Sequence, residues 1–140
     1  MLNVSELIKL VDEFSIYLTK QKINDEVKEN LKKDINKFHA AFLVKIEEEY
    51  IGYAILYTKY SSFKGKPILF LEDLYIKQNY RKGLGYKLFL HCLNYAKQKG
   101  YCFLEWEVLF SNKEVIKMTR KCNPIELHKE RGLFRLDLIK

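Results

Sequence analysis

Hydrophobic positions in the first forty residues recur three or four residues apart, which is typical of amphipathic helices. Asn3 and Glu6 match a capping box at the start of the first helix, predicted near residues 4–20. Asn24 or Asp25 is a suitable cap for a second helix. The apolar positions of the two helices are Leu7, Ile8, Val11, Phe14 and Leu18, then Val27, Leu31, Ile35 and Phe38. The chain therefore begins with two predicted helices.

The pattern then changes to the apolar and aromatic runs of β-strands. Residues 39–46 and 50–60 predict a hairpin whose tip carries three glutamates, and residues 61–67 predict a loop with Gly65 and Pro67. Residues 68–76 follow as a central strand, and a Gly-containing turn at 80–85 leads into a helix that Gly100 would end.

The last forty residues predict a strand at 102–109, a helix and a closing strand at 133–139. Ser111 and Glu114 match a capping box for that helix, and Pro124 would end it. The whole order predicts one domain, residues 1–140, of the α/β (α+β) class: a mixed sheet with helices on both faces.

Two acidic residues, Glu72 and Asp73, interrupt the central strand. A carboxylate on a largely buried strand costs free energy unless it is paired, hydrogen-bonded or facing a cleft, so the pair is a candidate site. Side chains alternate along a strand, which predicts opposite faces for the two.

The turn after this strand brings glycines and cations to the start of a helix. Free backbone N–H groups at a helix start favour an anion, and Arg81 and Lys82 add positive charge to Gly83 and Gly85. The alternative is a turn that merely needs small residues.

Composition limits the partners without choosing among them. The net charge of +7 suits an anion such as nucleic acid, a membrane surface or a phosphorylated cofactor, but the lysines are spread as on a solvated surface. The three cysteines and three histidines match no metal-ligand spacing, so no metal is predicted. Neither a membrane span nor a signal peptide is recognised, which predicts a reducing cytoplasm.

Four segments in a fixed order carry a family resemblance: IGYAILYTKYSSFKGKP, LFLEDLYI, the YRKGLG turn, and LEWEVL followed by Asn112. With them, residues from about 50 to 137 resemble the GNAT superfamily of acetyl-CoA-dependent N-acetyltransferases, in its diamine (spermidine/spermine-type) branch. The resemblance implies a twisted mixed sheet whose central strands splay apart around acetyl-CoA. It also implies a primary amine on a small molecule as substrate, and a homodimer.

The resemblance also implies site residues. Glu72 would help to deprotonate the amine through water, and the amine site would include Tyr17, Glu72 and Asp73. The implied acetyl-CoA residues are Leu74, Tyr75 and Ile76 along the pantetheine arm, Arg81, Lys82, Gly83, Leu84, Gly85 and Tyr86 around the phosphates, and Asn112.

The sequence departs from the family pattern at several positions. The phosphate turn is one residue shorter than usual, and Thr119 occupies the place of the tyrosine that reprotonates the departing thiolate. Asn123-Pro124 replaces a Gly-Ala pair, and Leu18 follows Tyr17 where the family has an acidic residue, which argues against a polycation. The strand that precedes the first helix in the family is missing from the predicted elements.

Three functional hypotheses follow: an amine acetyltransferase, a degenerate GNAT domain without efficient catalysis, and a basic nucleic-acid-binding module. The third has abundant aromatic residues but no recognition helix or stacking motif in its favour. Glu105 and Glu107 line an amine pocket in one interpretation and are solvated strand residues in the other.

Overall fold

The structure is a computed structural model that describes residues 1–124 and 134–138. The chain forms two compact units, residues 1–107 and residues 108–140. The helices and strands of the first are α1 (Val4–Thr19), α2 (Asp25–Asp34), β1 (Ala40–Ile46), β2 (Glu49–Ser61), β3 (Lys66–Ile76), α3 (Leu84–Gln98) and β4 (Leu104–Trp106). The second contains α4 (Lys113–Cys122). The assignment of all 140 residues to one domain stays a prediction.

Side-chain caps set the starts of the first two helices, as predicted. The Asn3 carboxamide accepts a hydrogen bond from the Glu6 N–H at 3.2 Å, and Asn24 does the same for Val27 at 2.9 Å. Each cap satisfies a donor that has no partner inside its helix.

The sheet has four strands in the order β1-β2-β3-β4. The first three are antiparallel neighbours, whereas β4 runs parallel to β3, so the predicted mixed sheet is confirmed. β1 is an edge strand, and no strand precedes it among the residues that the structure describes.

Helices cover both faces of this sheet. Leu7 and Leu10 of α1 pack against Tyr53 and Tyr75 on one face. On the other face the Phe42 ring meets His91 of α3, with ring centroids 4.7 Å apart. Phe42 lies opposite Ala54, the neighbour of Tyr53, and successive strand residues point to opposite faces. The sheet is therefore the middle layer of the first unit.

Three predicted features differ in the structure. The strand expected at 102–109 is only Leu104–Trp106, because β4 pairs with β3 over three residues alone. The cap of α4 is Asn112 rather than Ser111, since its side chain accepts from the Val115 N–H at 3.4 Å. Residues 134–138 of the expected closing strand have no strand pairing, and the rest of that segment lies outside the described residues.

Candidate active site

A β-bulge places Glu72 at the surface of the central strand. Ile55 of β2 lies opposite Asp73 and the next residue, Leu56, lies opposite Leu71, so Glu72 is an extra residue without a partner across the ladder. A bulge bends its strand and redirects a side chain, which explains an exposed carboxylate directly after the buried Leu71. It also interrupts the alternation from which opposite faces were predicted for Glu72 and Asp73.

Asp73 is held against the core. The Tyr53 hydroxyl donates a hydrogen bond to Asp73 Oδ2 at 3.0 Å, and the Tyr53 ring is fully buried beneath α1. Burial raises the pKa of the Asp73 carboxyl, while the bond from Tyr53 opposes the rise. Sequence reasoning did not identify Tyr53, because only the register between β2 and β3 brings it to Asp73.

Glu72 has a raised proton affinity. Partial burial raises its pKa, and the negative charges of Asp73 and Glu107 raise it further. Burial is the main cause that raises the pKa values of Tyr53 and Tyr57, two residues on the same face of β2. The charge of Glu72 is the next cause for Tyr57, whereas for Tyr53 it contributes less than the charge of Asp73. Glu72 therefore holds a proton at higher pH than an ordinary glutamate and is suited to exchange one with an amine.

The far edge of β3 is open beyond the bulge. β4 pairs only with Leu69–Leu71, so among the described residues no strand covers β3 from Glu72 to Ile76 on that side. The Lys77 N–H donates to Ile51 O at 2.8 Å, and bonding directions alternate along an antiparallel strand. The backbone groups of Tyr75 thus face β2, whereas those of Leu74 and Ile76 face the open edge.

The glycine turn leads into an uncapped helix. Gly83 adopts a left-handed conformation, with φ of 85°, and α3 begins at Leu84 without any side-chain cap. The first N–H groups of a helix have no intrahelical acceptor, and together with the helix dipole they attract anions. Gly85 lies in this first turn, and the exposed Lys82 precedes it. The turn predicted for the phosphates therefore has the donors that such a ligand requires.

Arg81 contacts the α1 side of this turn. Its Nε donates to the Ile76 carbonyl at 2.8 Å, and its guanidinium carbon lies 4.4 Å from the Tyr17 ring centroid and 5.7 Å from that of Tyr75. The predicted phosphate residue and the predicted amine-site residue Tyr17 are therefore in direct contact, which no sequence pattern indicated.

The two glutamates of the β4 region differ in their partners. Glu105 forms an ion pair with Lys59 at 3.0 Å, which supports its interpretation as a surface strand residue. Glu107 is exposed and follows the last residue of β4.

The second unit contains the two remaining candidates. Asn112 uses its side chain to cap α4, and Thr119 is half-buried within that helix. The Asn112 side chain, which is predicted to contact acetyl-CoA, therefore has a structural role as a helix cap.

The described residues contain neither a metal-binding cluster nor a membrane-spanning helix. No group of three or more histidine, cysteine or acidic side chains within residues 1–124 and 134–138 could hold a metal ion. In the same part of the chain, no helix is long and apolar enough to cross a membrane.

Comparisons with known proteins identify the family of this chain. The model of the acetyltransferase (GNAT) family matches residues 7–123. The chain is 33% identical over 139 residues to the thialysine N-epsilon-acetyltransferase of Caenorhabditis elegans. The alignment covers 96% of this chain and 86% of that relative.

Solved structures show the same fold. An aminoglycoside acetyltransferase from an uncultured soil metagenomic sample, in complex with sisomicin, superposes with a TM-score of 0.77 at 21% identity, over 96% of this chain and 91% of the other. The ribosomal-protein-alanine N-acetyltransferase of Brucella melitensis biovar Abortus 2308 superposes with a TM-score of 0.75 at 15% identity, over 96% of this chain and 93% of the other. The family match and the relative from Caenorhabditis elegans together show that the chain belongs to the acetyltransferase (GNAT) family and is an acetyl-transferring enzyme.

Proposed function

We propose that this enzyme transfers an acetyl group from acetyl-CoA to a primary amine of a small molecule, namely a diamine, a polyamine or a lysine-like amine. The observation that carries the proposal is the exposed Glu72 at a bulge where β3 loses its partner β4. The open strand edge and the uncapped start of α3 lie in the same compact unit.

The hydrogen-bond donors and the positive charge of the α3 turn, together with the open edge of β3, suit acetyl-CoA as a ligand. The first turn of α3 and Lys82 would bind the phosphates, and the backbone groups of Leu74 would pair with the pantetheine arm. The Ile76 N–H is also available, whereas its carbonyl already accepts one hydrogen bond from Arg81. Bound in this way, acetyl-CoA supplies an acyl group that is already activated as a thioester.

Glu72 would prepare the amine. An ammonium group must lose a proton before its nitrogen can form a bond to the acyl carbon, and Glu72 would accept that proton through a water molecule. The raised pKa of Glu72 brings its proton affinity nearer to that task. Asp73 and Tyr17 would border the amine, and Thr119 stands where the resemblance expects the acid that protonates the thiolate.

Lysine-like amines are the first substrates to test. The relative from Caenorhabditis elegans is named for thialysine, a lysine analogue, and Leu18 replaces an acidic residue that the resemblance connects with polycations. We also propose a homodimer in the cytoplasm, as the resemblance implies. The degenerate alternative has no support from the comparisons.

Acetyl-CoA titration with a Gly85→Ala variant tests the cofactor site. The wild-type chain should bind about one acetyl-CoA, and the variant should bind about tenfold more weakly because a methyl group would enter the phosphate turn. The nearest atom to a Cβ at Gly85 is Ile76 Cγ1 at 4.0 Å, so the fold tolerates it. Calorimetry measures both affinities.

Free CoA and two salt concentrations serve as controls, since a phosphate site weakens as ionic strength rises. Turnover of thialysine, lysine and diamines is then measured with acetyl-CoA at saturation. A folded wild-type chain that neither binds acetyl-CoA nor acetylates any of these amines would contradict the proposed function.

Replacing Thr119 with tyrosine should raise kcat about tenfold if protonation of the thiolate limits the wild-type rate, because a phenol is a far better proton donor than an aliphatic alcohol. Steady-state kinetics with the preferred amine measure the change. Thr119→Phe is the matched control, since it adds the ring without the hydroxyl. An equal kcat in both variants would mean that ring size, not proton donation, determines the effect.

A further inference from the structure

The parallel register of β3 and β4 sets two glutamates beside each other. The last paired residues are Leu71 and Trp106, and the next residue on each chain segment is a glutamate, Glu72 and Glu107. Paired strands lie about 5 Å apart. Two residues just beyond the last pair are therefore near neighbours across the β3–β4 opening, the gap that begins where the two strands stop pairing. Glu107 therefore flanks the carboxylate that we propose as proton acceptor.

Neither carboxylate is neutralised by an ion pair with the described residues. Lys59, a cation of β2, is bound to Glu105 at 3.0 Å and lies over the Phe70 ring at 5.2 Å. Among the described residues, the charges that act on Glu72 are those of Asp73 on β3 and Glu107 in the β4 segment, and the charge of Glu72 acts in turn on Tyr53 and Tyr57 of β2. Of these groups, Asp73 is engaged by Tyr53.

We propose that Glu107 is a positioning residue for the acetyl-transfer reaction, whose negative charge across the β3–β4 opening strengthens Glu72 as the proton acceptor for the amine. The inference rests on the proposed function and extends it to a residue to which the family resemblance assigns no role. The direct influence of the Glu107 charge on Glu72, and the influence of both on Tyr57, are consistent with this proximity.

The physical reason is like-charge repulsion. A second negative charge nearby makes the ionised form of Glu72 less favourable, so Glu72 binds a proton more readily. Proton transfer from an ammonium group improves as the proton affinities of donor and acceptor approach each other. The same charge also attracts the cationic substrate, so its loss should raise KM for the amine without changing KM for acetyl-CoA.

Direct titration of Glu72 tests the inference without relying on activity. Protein with carbon-13 in the glutamate carboxyl groups is titrated by NMR, and the signal missing from Glu72→Gln identifies Glu72. Glu107→Gln should move the Glu72 titration midpoint to lower pH, and Glu107→Asp, which keeps the charge, should leave it close to that of the wild type. Both changes are at an exposed residue, where substitutions usually alter stability by about 0.5 kcal/mol or less.

Glu105→Gln is the control for net charge, because it removes one negative charge from the same segment. A smaller shift than in Glu107→Gln supports the specific role of Glu107. An unchanged Glu72 midpoint in Glu107→Gln, or an equal shift in both variants, would overturn the inference.

Kinetics then connect the titration with the reaction. The acidic limb of the kcat/KM profile should move to lower pH in Glu107→Gln, together with the NMR midpoint. If the wild-type enzyme acetylates no amine, the proposed function fails, whereas the NMR comparison still decides whether Glu107 acts on Glu72. If the wild type is active and Glu72 has the same titration midpoint in the wild type and in Glu107→Gln, only the inference fails.

Discussion

Replacement of Glu72 by glutamine should lower acetyl transfer at pH 7 about 100- to 1000-fold, the usual loss when a general base is removed. Glutamine has nearly the same shape but accepts no proton. Because Glu72 is exposed at a bulge and has no ladder partner, the change should leave the free energy of unfolding within about 0.5 kcal/mol of the wild-type value. Acetyl-CoA affinity should also be retained.

The pH dependence gives the sharper measurement. Burial and the charges of Asp73 and Glu107 raise the pKa of Glu72, so wild-type kcat/KM should rise with pH as this carboxyl loses its proton. That limb lies above the ordinary range of a glutamate and should disappear in Glu72→Gln. Activity of the variant should instead follow the fraction of free amine.

Glu105→Gln is a suitable control, because its carboxylate pairs with Lys59 on the surface. Its kcat/KM should stay within about threefold of wild type, as for a surface ion pair of small energetic value. Equal activity of wild type and Glu72→Gln at every pH would refute the role of Glu72.

Replacement of Gly52 by alanine should destabilise the fold by about 3 kcal/mol, at the upper end of what overpacking costs. A Cβ at this position would lie 2.6 Å from the Tyr75 carbonyl oxygen and would also overlap the Ile76 side chain. The carbonyl belongs to the backbone of β3 and cannot rotate away, so β2 and β3 must separate. Urea unfolding followed by circular dichroism measures the loss.

The same separation would displace the open edge of β3, because Gly52 lies opposite Ile76. Acetyl-CoA affinity should therefore fall together with stability. Gly85→Ala is the matched control for stability: its new methyl group has room, and alanine in the first turn of α3 should keep or slightly increase the free energy of unfolding. A Gly52→Ala variant as stable as wild type would contradict the tight approach of the two strands.

Local patterns were sufficient for most elements. Helical periodicity with Asn3 and Asn24 as caps predicted α1 and α2, and apolar runs predicted β1, β2 and β3 close to their observed bounds. These signals depend on neighbours within a few residues, where spacing, capping and backbone preference act directly. The glycine turn before α3 belongs to the same group, since a left-handed Gly83 and an uncapped helix start are local properties.

The motifs also identified the chemistry before any geometry was available. The acidic pair in a buried strand indicated a site because charge is costly there, and the four ordered segments indicated the acetyltransferase family that the comparisons then showed. The roles of individual residues stay predictions.

The arrangement of the site depended on strand pairing over long sequence distances. Whether Glu72 is exposed, and whether Asp73 meets Tyr53, follows from a register shift between β2 and β3. The length of β4 follows from where β3 stops pairing with it, and from this same point we infer that Glu107 lies beside Glu72. The contact of Arg81 with Tyr17 likewise joins residues 64 positions apart. Composition and periodicity determine which residues favour a strand or a helix; only the packed sheet decides their register, because every alternative alignment offers similar local interactions and differs in what it buries.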